Sequence, residues 1–308
     1  EHFLGLGLGQ LDRRRADEFV RGLERGDAAL LERFLHPAEV GKRTARDDLR
    51  LALLARALAH LVETDAHLTG SVAVFVDHTG ERSMVSGHGA DFYLLPSELP
   101  REVLRSTNHL HLTAWSFFVD PPRAAVREAA RIAKQAGASL SFDPGSFQMI
   151  GEMGVPQFLS VTRDLGIDIF LPNKEEGSML TGGLTDPSEI AAALADLYPG
   201  ALIMLKLDAD GALVWHDGTG THIPAGTNNL VDATGAGDSF AGGFMGYLAH
   251  TDDLSESNLR RAVIFGSAMG SFVVEGFSIA RLLEIRTADI TRRVADFHRL
   301  VSFDAMLP

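Results

Sequence analysis

The sequence predicts an α/β fold in which a largely parallel sheet is sandwiched by helices, with a small β lid. Three observations carry this. From about residue 105 onward, short apolar strands alternate with helical segments, the pattern of parallel strands joined by crossover helices. Residues 71–77 are β-branched and apolar, 78–81 are turn-like and 82–86 can return as a second strand, the pattern of a hairpin. Strand signals are nearly absent before them. There Leu23, Leu30, Leu31, Phe34 and Leu35, then Leu51, Leu54, Leu58 and Leu61, recur at helical spacing around a break at His36-Pro37.

The elements follow in order. Residues 109–113 read as a strand. Asp120 can cap a helix with Pro121 at its first position and Gly137 just past its end. Strands follow at 139–143 and 167–171, and a helix runs from Lys174. Another helix opens at Asp186-Pro187-Ser188-Glu189, with an N-cap acid, an N1 proline and an N3 glutamate in capping-box spacing. Residues 201–206 and 212–216 are strands, and a long helix follows Gly237. No internal repeat or low-complexity tract interrupts the chain.

The 308 residues carry 28 Lys+Arg against 41 Asp+Glu, a net charge of −13. Such a chain is a poor partner for phosphate backbones, so no nucleic-acid binding is expected. No cysteine is present, which excludes disulfides, thiolate metal sites and a cysteine nucleophile. No apolar run reaches about 18 residues, and the first residues lack a signal-peptide pattern. The expectation is a cytoplasmic protein with no membrane partner.

The chemistry concentrates in residues 231–244. An apolar approach ends at Asp232, a turn of small residues follows through Thr234, Gly235, Ala236 and Gly237, and a helix begins near Asp238. Successive backbone N–H groups at a helix start make an anion site. A carboxylate at its mouth repels an anion unless it has a task, and general base is the obvious one. Gly242-Gly243 lets that helix pack closely on a neighbour. The bland alternative is a glycine-rich turn with an N-cap aspartate.

The complete run resembles the C-terminal signature of the ribokinase-like (PfkB) carbohydrate kinases, Asp-Thr-x-Gly-Ala-Gly-Asp, with Ala233 at the first Thr position. Asn173-Lys174-Glu175-Glu176 resembles the family's Asn-x-x-Glu segment, and Phe142-Asp143-Pro144 its mid-chain Asp-Pro. Residues 205–212 resemble its nucleotide-side strand and turn, with Asp208 where glycine is usual. Residues 69–90 resemble its lid strands. Phe265-Gly266-Ser267-Ala268 and Val274-Glu275-Gly276-Phe277 resemble its adenine-side helix and closing loop. The resemblance covers about residues 43–300.

It implies a three-layer α/β/α ribokinase-like domain over residues 1–308, with a lid around 70–90 and an atypical region at 1–42. It implies transfer of a phosphoryl group from ATP, with Mg2+, to a hydroxyl of a sugar or nucleoside. Asp238 would take the hydroxyl proton. Gly235, Ala236 and Gly237 would offer N–H groups to the developing charge. Asn173 and Glu176 would hold the hydration shell of Mg2+. Asp232 and Thr234 match a monovalent-cation site, such as one for K+. Lys206, Gly211 and Asn173 would lie near the nucleotide and Ser267 near adenine. Homodimerisation through the lid is a family-level expectation, and Val74, Val85 and Ala90 are candidates for the acceptor pocket.

Blander readings stand beside these. Asn173 can be a satisfied turn residue, Glu176 an acid favoured at a helix start, Lys206 a strand end reaching solvent and Asp232 a cap. His109 and His111 alternate on one strand face, yet no third ligand stands at fixed spacing, so they read as structural. Trp115, Phe117 and Phe118 read as core or pocket wall.

The pattern fails in one place. The family's first strand with its acceptor-binding Asp, and the Gly-Gly pair followed by Asn, are not found. Residues 5–9 alternate Gly and Leu but lack the spacing and context of a dinucleotide fingerprint. The length favours altered sequence over truncation there. A catalytically degenerate regulatory protein on the same scaffold, or a nucleoside kinase, is the alternative reading.

Overall fold

A computed structural model describes residues 62, 64–76, 82–226 and 229–302. The helices expected within 11–61, the Gly-rich residues 5–9, the atypical region at 1–42 and the turn at 78–81 lie outside the described residues. The chain divides into two compact units, residues 1–100 with 119–125, and residues 101–118 with 126–308.

In the first unit, β1 (Ser71–Val76) and β2 (Arg82–Gly87) pair antiparallel, with Ser71 opposite Gly87. The base of this hairpin is drawn tight. The Ala90 N–H donates to the Leu68 carbonyl at 2.7 Å. A Cβ on Gly89 would stand 2.0 Å from the Gly70 nitrogen, so only glycine fits.

The second unit holds a six-stranded sheet in the order β3 (His109–Thr113), β4 (Ser139–Asp143), β5 (Ile169–Phe170), β6 (Leu202–Lys206), β7 (Ala212–His216), β8 (Thr219–Ile223). The first four strands run parallel, β7 pairs antiparallel to β6, and β8 pairs antiparallel to β7. β5, and β6 and β7 up to their last residues, are continuous apolar runs because both faces are covered, whereas β4 alternates serine with Leu140 and Phe142 yet is buried from Leu140 onward. Alternation sends Leu112, Leu140, Phe142, Phe170, Ile203, Leu205 and Leu213 to one face. There they meet side chains of α2 (Pro122–Gln135), α3 (Phe147–Met153), α4 (Val155–Thr162), α5 (Lys174–Leu180) and α6 (Pro187–Leu197). Ile169, Leu171, Leu202, Met204, Ala212 and Val214 point the other way. They meet α7 (Ala236–Thr251), α8 (Glu256–Val273) and α10 (Thr287–Ser302). These are the three layers the sequence predicts. A short α1 (Arg101–Ser106) precedes β3, and α9 (Ala280–Glu284) lies between α8 and α10. No helix among the described residues is long and apolar enough to cross a membrane.

Several boundaries differ from expectation for identifiable reasons. The helix expected from Pro121 starts at Pro122, because the Pro121 carbonyl already accepts from the Ala125 N–H at 3.1 Å and so occupies the capping position. Gly137 closes that helix at φ +90°. Asp186 caps α6 through Oδ1, which accepts from the Ser188 and Glu189 N–H groups. The reciprocal capping box forms instead at Asn173 and Glu176. The long helix begins at Ala236, two residues before Asp238. Of its glycine pair only Gly243 packs, where a Cβ would meet the Phe265 carbonyl at 2.8 Å; Gly242 faces open space. Phe117 is fully buried in the core and Phe118 packs against it.

Candidate active site

The parallel strands deliver their last residues to one place, and ligand crevices in such sheets lie beyond the carboxyl ends of the strands. Asp143 is the last residue of β4 and Lys206 the last of β6. Between them, the chain leaving β5 passes Pro172 and Asn173. The Lys206 N–H donates to the Pro172 carbonyl at 2.8 Å, and Asn173 bridges to Lys206 in parallel fashion. Lys206 Nζ donates to Asp143 Oδ2 at 2.6 Å, with the two side chains only 13% and 8% exposed. The other Asp143 oxygen accepts from the Gly145 N–H at 3.0 Å.

Asn173 caps α5. Its Oδ1 accepts from the Glu176 N–H at 2.8 Å, while Glu176 Oε2 accepts from the Asn173 N–H at 2.8 Å. The bland reading of Asn173 as a satisfied turn residue therefore describes its local bonding. Glu176 is 2% exposed, and that burial pushes its carboxyl up to about 7. The nearby Lys206 opposes the rise and Asp143 adds to it, so Asp143, Glu176 and Lys206 form one electrostatic cluster.

The glycine-rich loop of residues 232–237 meets this cluster from the opposite layer. Gly235 is the cap residue of α7 at φ +81°, a left-handed conformation that glycine adopts freely. Ala236, Gly237 and Asp238 form the first turn, whose N–H groups have no partner inside the helix. The Ala236 N–H turns back to the Ala233 carbonyl at 3.2 Å. A Cβ on Gly237 would lie 3.4 Å from Lys206 Nζ, so the ammonium group stands against the loop. Asp238, exposed in that first turn, places a carboxylate beside these N–H groups, with Lys206 against the neighbouring Gly237.

Asp232 and Thr234 sit just upstream. Asp232 is 4% exposed, and its Oδ1 accepts from the Thr234 N–H at 2.9 Å. Among the described residues, Thr234 Oγ1 is a buried side-chain oxygen with no hydrogen-bond partner. A buried carboxylate beside an orphaned hydroxyl is a donor set suited to a cation.

The remaining expected residues serve the fold visibly. Gly211, at φ +97°, closes the turn after Lys206, where a Cβ would stand 2.1 Å from the Ile223 carbonyl. Asp208 adopts φ +51°, a conformation that aspartate tolerates better than most residues, so it can stand where glycine is usual. Ser267 is half-buried on α8 and makes none of the hydrogen bonds that join the others. His109 Nε2 and His111 Nδ1 both bond the Ser141 hydroxyl at 2.7 Å, and His109 Nδ1 bonds Ser139 at the same distance. Burial holds both rings below the usual histidine range. Among the described residues no group of three His, Asp or Glu side chains is poised to hold a metal together.

Sequence reasoning gave Asp143 no role in the site. Its signal was the Asp-Pro after a strand, and nothing in one dimension pairs residue 143 with residue 206.

Comparison with known proteins supplies a context for this arrangement. A family model described as pfkB family carbohydrate kinase matches residues 38–285. An Escherichia coli fructokinase is 28% identical over 220 residues, 70% of this chain and 71% of that protein. An ATP-dependent ribose-1-phosphate kinase of Halopiger xanaduensis is 30% identical over 228 residues, 74% of this chain and 68% of that one. The crystal structure of a Vibrio cholerae fructokinase, bound to fructose, ADP and calcium, shares the fold at a TM-score of 0.67 and 24% identity, covering 83% of each chain.

Proposed function

We propose that this chain, which belongs to the pfkB family of carbohydrate kinases and is an ATP-dependent kinase of that family, phosphorylates a hydroxyl of a sugar or sugar-like small molecule with Asp238 as general base. One observation carries the reading. An exposed carboxylate stands in the first turn of α7, beside backbone N–H groups and the Lys206 ammonium. That set can bind a transferring phosphoryl group and take a proton from the attacking hydroxyl at the same place.

Each residue then has a task. Asp238 accepts the hydroxyl proton as the oxygen attacks in line. The Gly235 and Gly237 N–H groups, with the positive end of the α7 dipole, face charge developing on the phosphoryl oxygens. The Ala236 N–H joins them by releasing the Ala233 carbonyl. Lys206 can exchange Asp143 for a phosphate oxygen, because its ammonium already borders the loop.

The oxygen-only set of Asn173, Glu176 and Asp143 suits Mg2+, a hard ion that keeps much of its water. The ion neutralises phosphate charge when bound. The buried Asp232 carboxylate and the orphaned Thr234 hydroxyl fit a monovalent cation such as K+, which would steady the loop without touching substrate.

The test is release of ADP from Mg-ATP with a panel of sugars and nucleosides. Asp238→Asn is expected to lower substrate-dependent turnover by at least about 10²-fold while nucleotide still binds. Turnover that survives this change removes Asp238 as base. Failure to bind any nucleotide removes the assignment of the loop.

A further inference from the structure

The segment after α8 is built more firmly than a surface connection needs to be. Glu275 lies one residue beyond the α8 cap. Its Oε1 accepts from Arg293 Nη2 at 2.7 Å and its Oε2 from Arg281 Nε at 3.2 Å. Arg293 also donates to the Ser271 hydroxyl at 2.7 Å, and its guanidinium lies 4.1 Å from the centroid of the Phe272 ring. Arg281 approaches the same ring at 5.7 Å. One carboxylate thus ties the end of α8 to α9 and α10.

The neighbouring carbonyl touches the candidate site. Val274 O accepts the N–H of Val231 at 2.8 Å and of Asp232 at 3.3 Å. A Cβ on Gly235 would meet Val273 Cγ2 at 3.8 Å, so residues 273–274 underlie the glycine-rich loop. We propose that Glu275, clamped by Arg281 and Arg293, is a positioning residue that fixes the Val274 carbonyl and through it the Asp232–Gly237 loop. The consequence for catalysis rests on the loop serving phosphoryl transfer; the consequence for loop order does not.

The experiment has two arms for that reason. Glu275→Gln keeps the shape and loses the charge that holds two guanidinium groups. In the first arm, amide hydrogen exchange is measured on the protein without substrate. Val231 and Asp232 are expected to exchange about tenfold faster, with helices α5 and α6 unchanged. In the second, the sugar that supports ADP release is used as substrate. kcat is expected to fall about tenfold, KM for that sugar to stay within about twofold, and added KCl to recover part of the loss. Unchanged exchange at 231–232 overturns the proposal. So does a lowered melting temperature with kcat and KCl dependence as in the unaltered protein, which makes the clamp purely structural. If no sugar supports ADP release, the kinase assignment fails while the exchange arm still decides the positioning role. Should Glu275→Gln not fold, Arg281→Ala removes the more exposed arm of the clamp and is expected to shift both readouts in the same direction by less.

Discussion

Replacing Glu176 by Gln should make the protein more stable at pH 8 while impairing it as an enzyme. Glu176 is 2% exposed, and burial raises its carboxyl from 4.5 to about 7. At about 1.36 kcal/mol for each unit of pKa, that rise corresponds to about 3 kcal/mol. The folded protein keeps this proton where the unfolded chain has released it. Folding is therefore favoured fully below about pH 4.5, and that advantage is lost as the pH rises to about 7. Glutamine is neutral throughout and its amide oxygen can still accept the Asn173 N–H, so the cap of α5 survives. Wild type and variant should then melt together near pH 4.5. They should part by about 3 kcal/mol at pH 8 in favour of the variant, a difference of about 5 °C or more for a protein of this size. Thermal melts at several pH values in magnesium-free buffer measure this. On the proposed Mg2+ assignment of Glu176, ADP release should move the opposite way, falling about 10- to 100-fold, since an amide is a poorer partner for the ion's hydration shell. Parallel stability curves for the two proteins across pH 4.5 to 8 would refute the reasoning.

Two other substitutions probe the same region. Lys206→Met leaves the Asp143 carboxylate buried without its cation; removing one partner of such a pair costs about 3–5 kcal/mol, measurable by urea denaturation, and Asp143→Asn in the same chain should recover part of the loss. Thr234→Val removes a buried hydroxyl that has no partner, so it should stabilise the protein by about 1 kcal/mol in sodium-free, potassium-free buffer and reduce any stimulation of ADP release by KCl.

The sequence by itself determined the layer architecture and the family. The continuous apolar run at 201–205 is what a strand covered on both faces requires, and the helix before it carries its own start signal at Asp186. The Gly-Ala-Gly-Asp run was legible partly because backbone geometry favours it: the cap at Gly235 is left-handed, a conformation glycine adopts freely. The tertiary structure decided what these residues touch. Lys206 could equally have ended a strand in solvent. Packing β4 two strands away puts Asp143 within 2.6 Å of it. The raised carboxyl of Glu176 needs burial under neighbours distant in sequence, and so does the orphaned hydroxyl of Thr234. The Glu275 clamp joins three helix segments whose charges, read along the chain, look like solvated faces. Local chemistry is written in short stretches of sequence because it follows from spacing and backbone conformation. Charge pairing and desolvation depend on which strand lies beside which, and only the folded chain sets that.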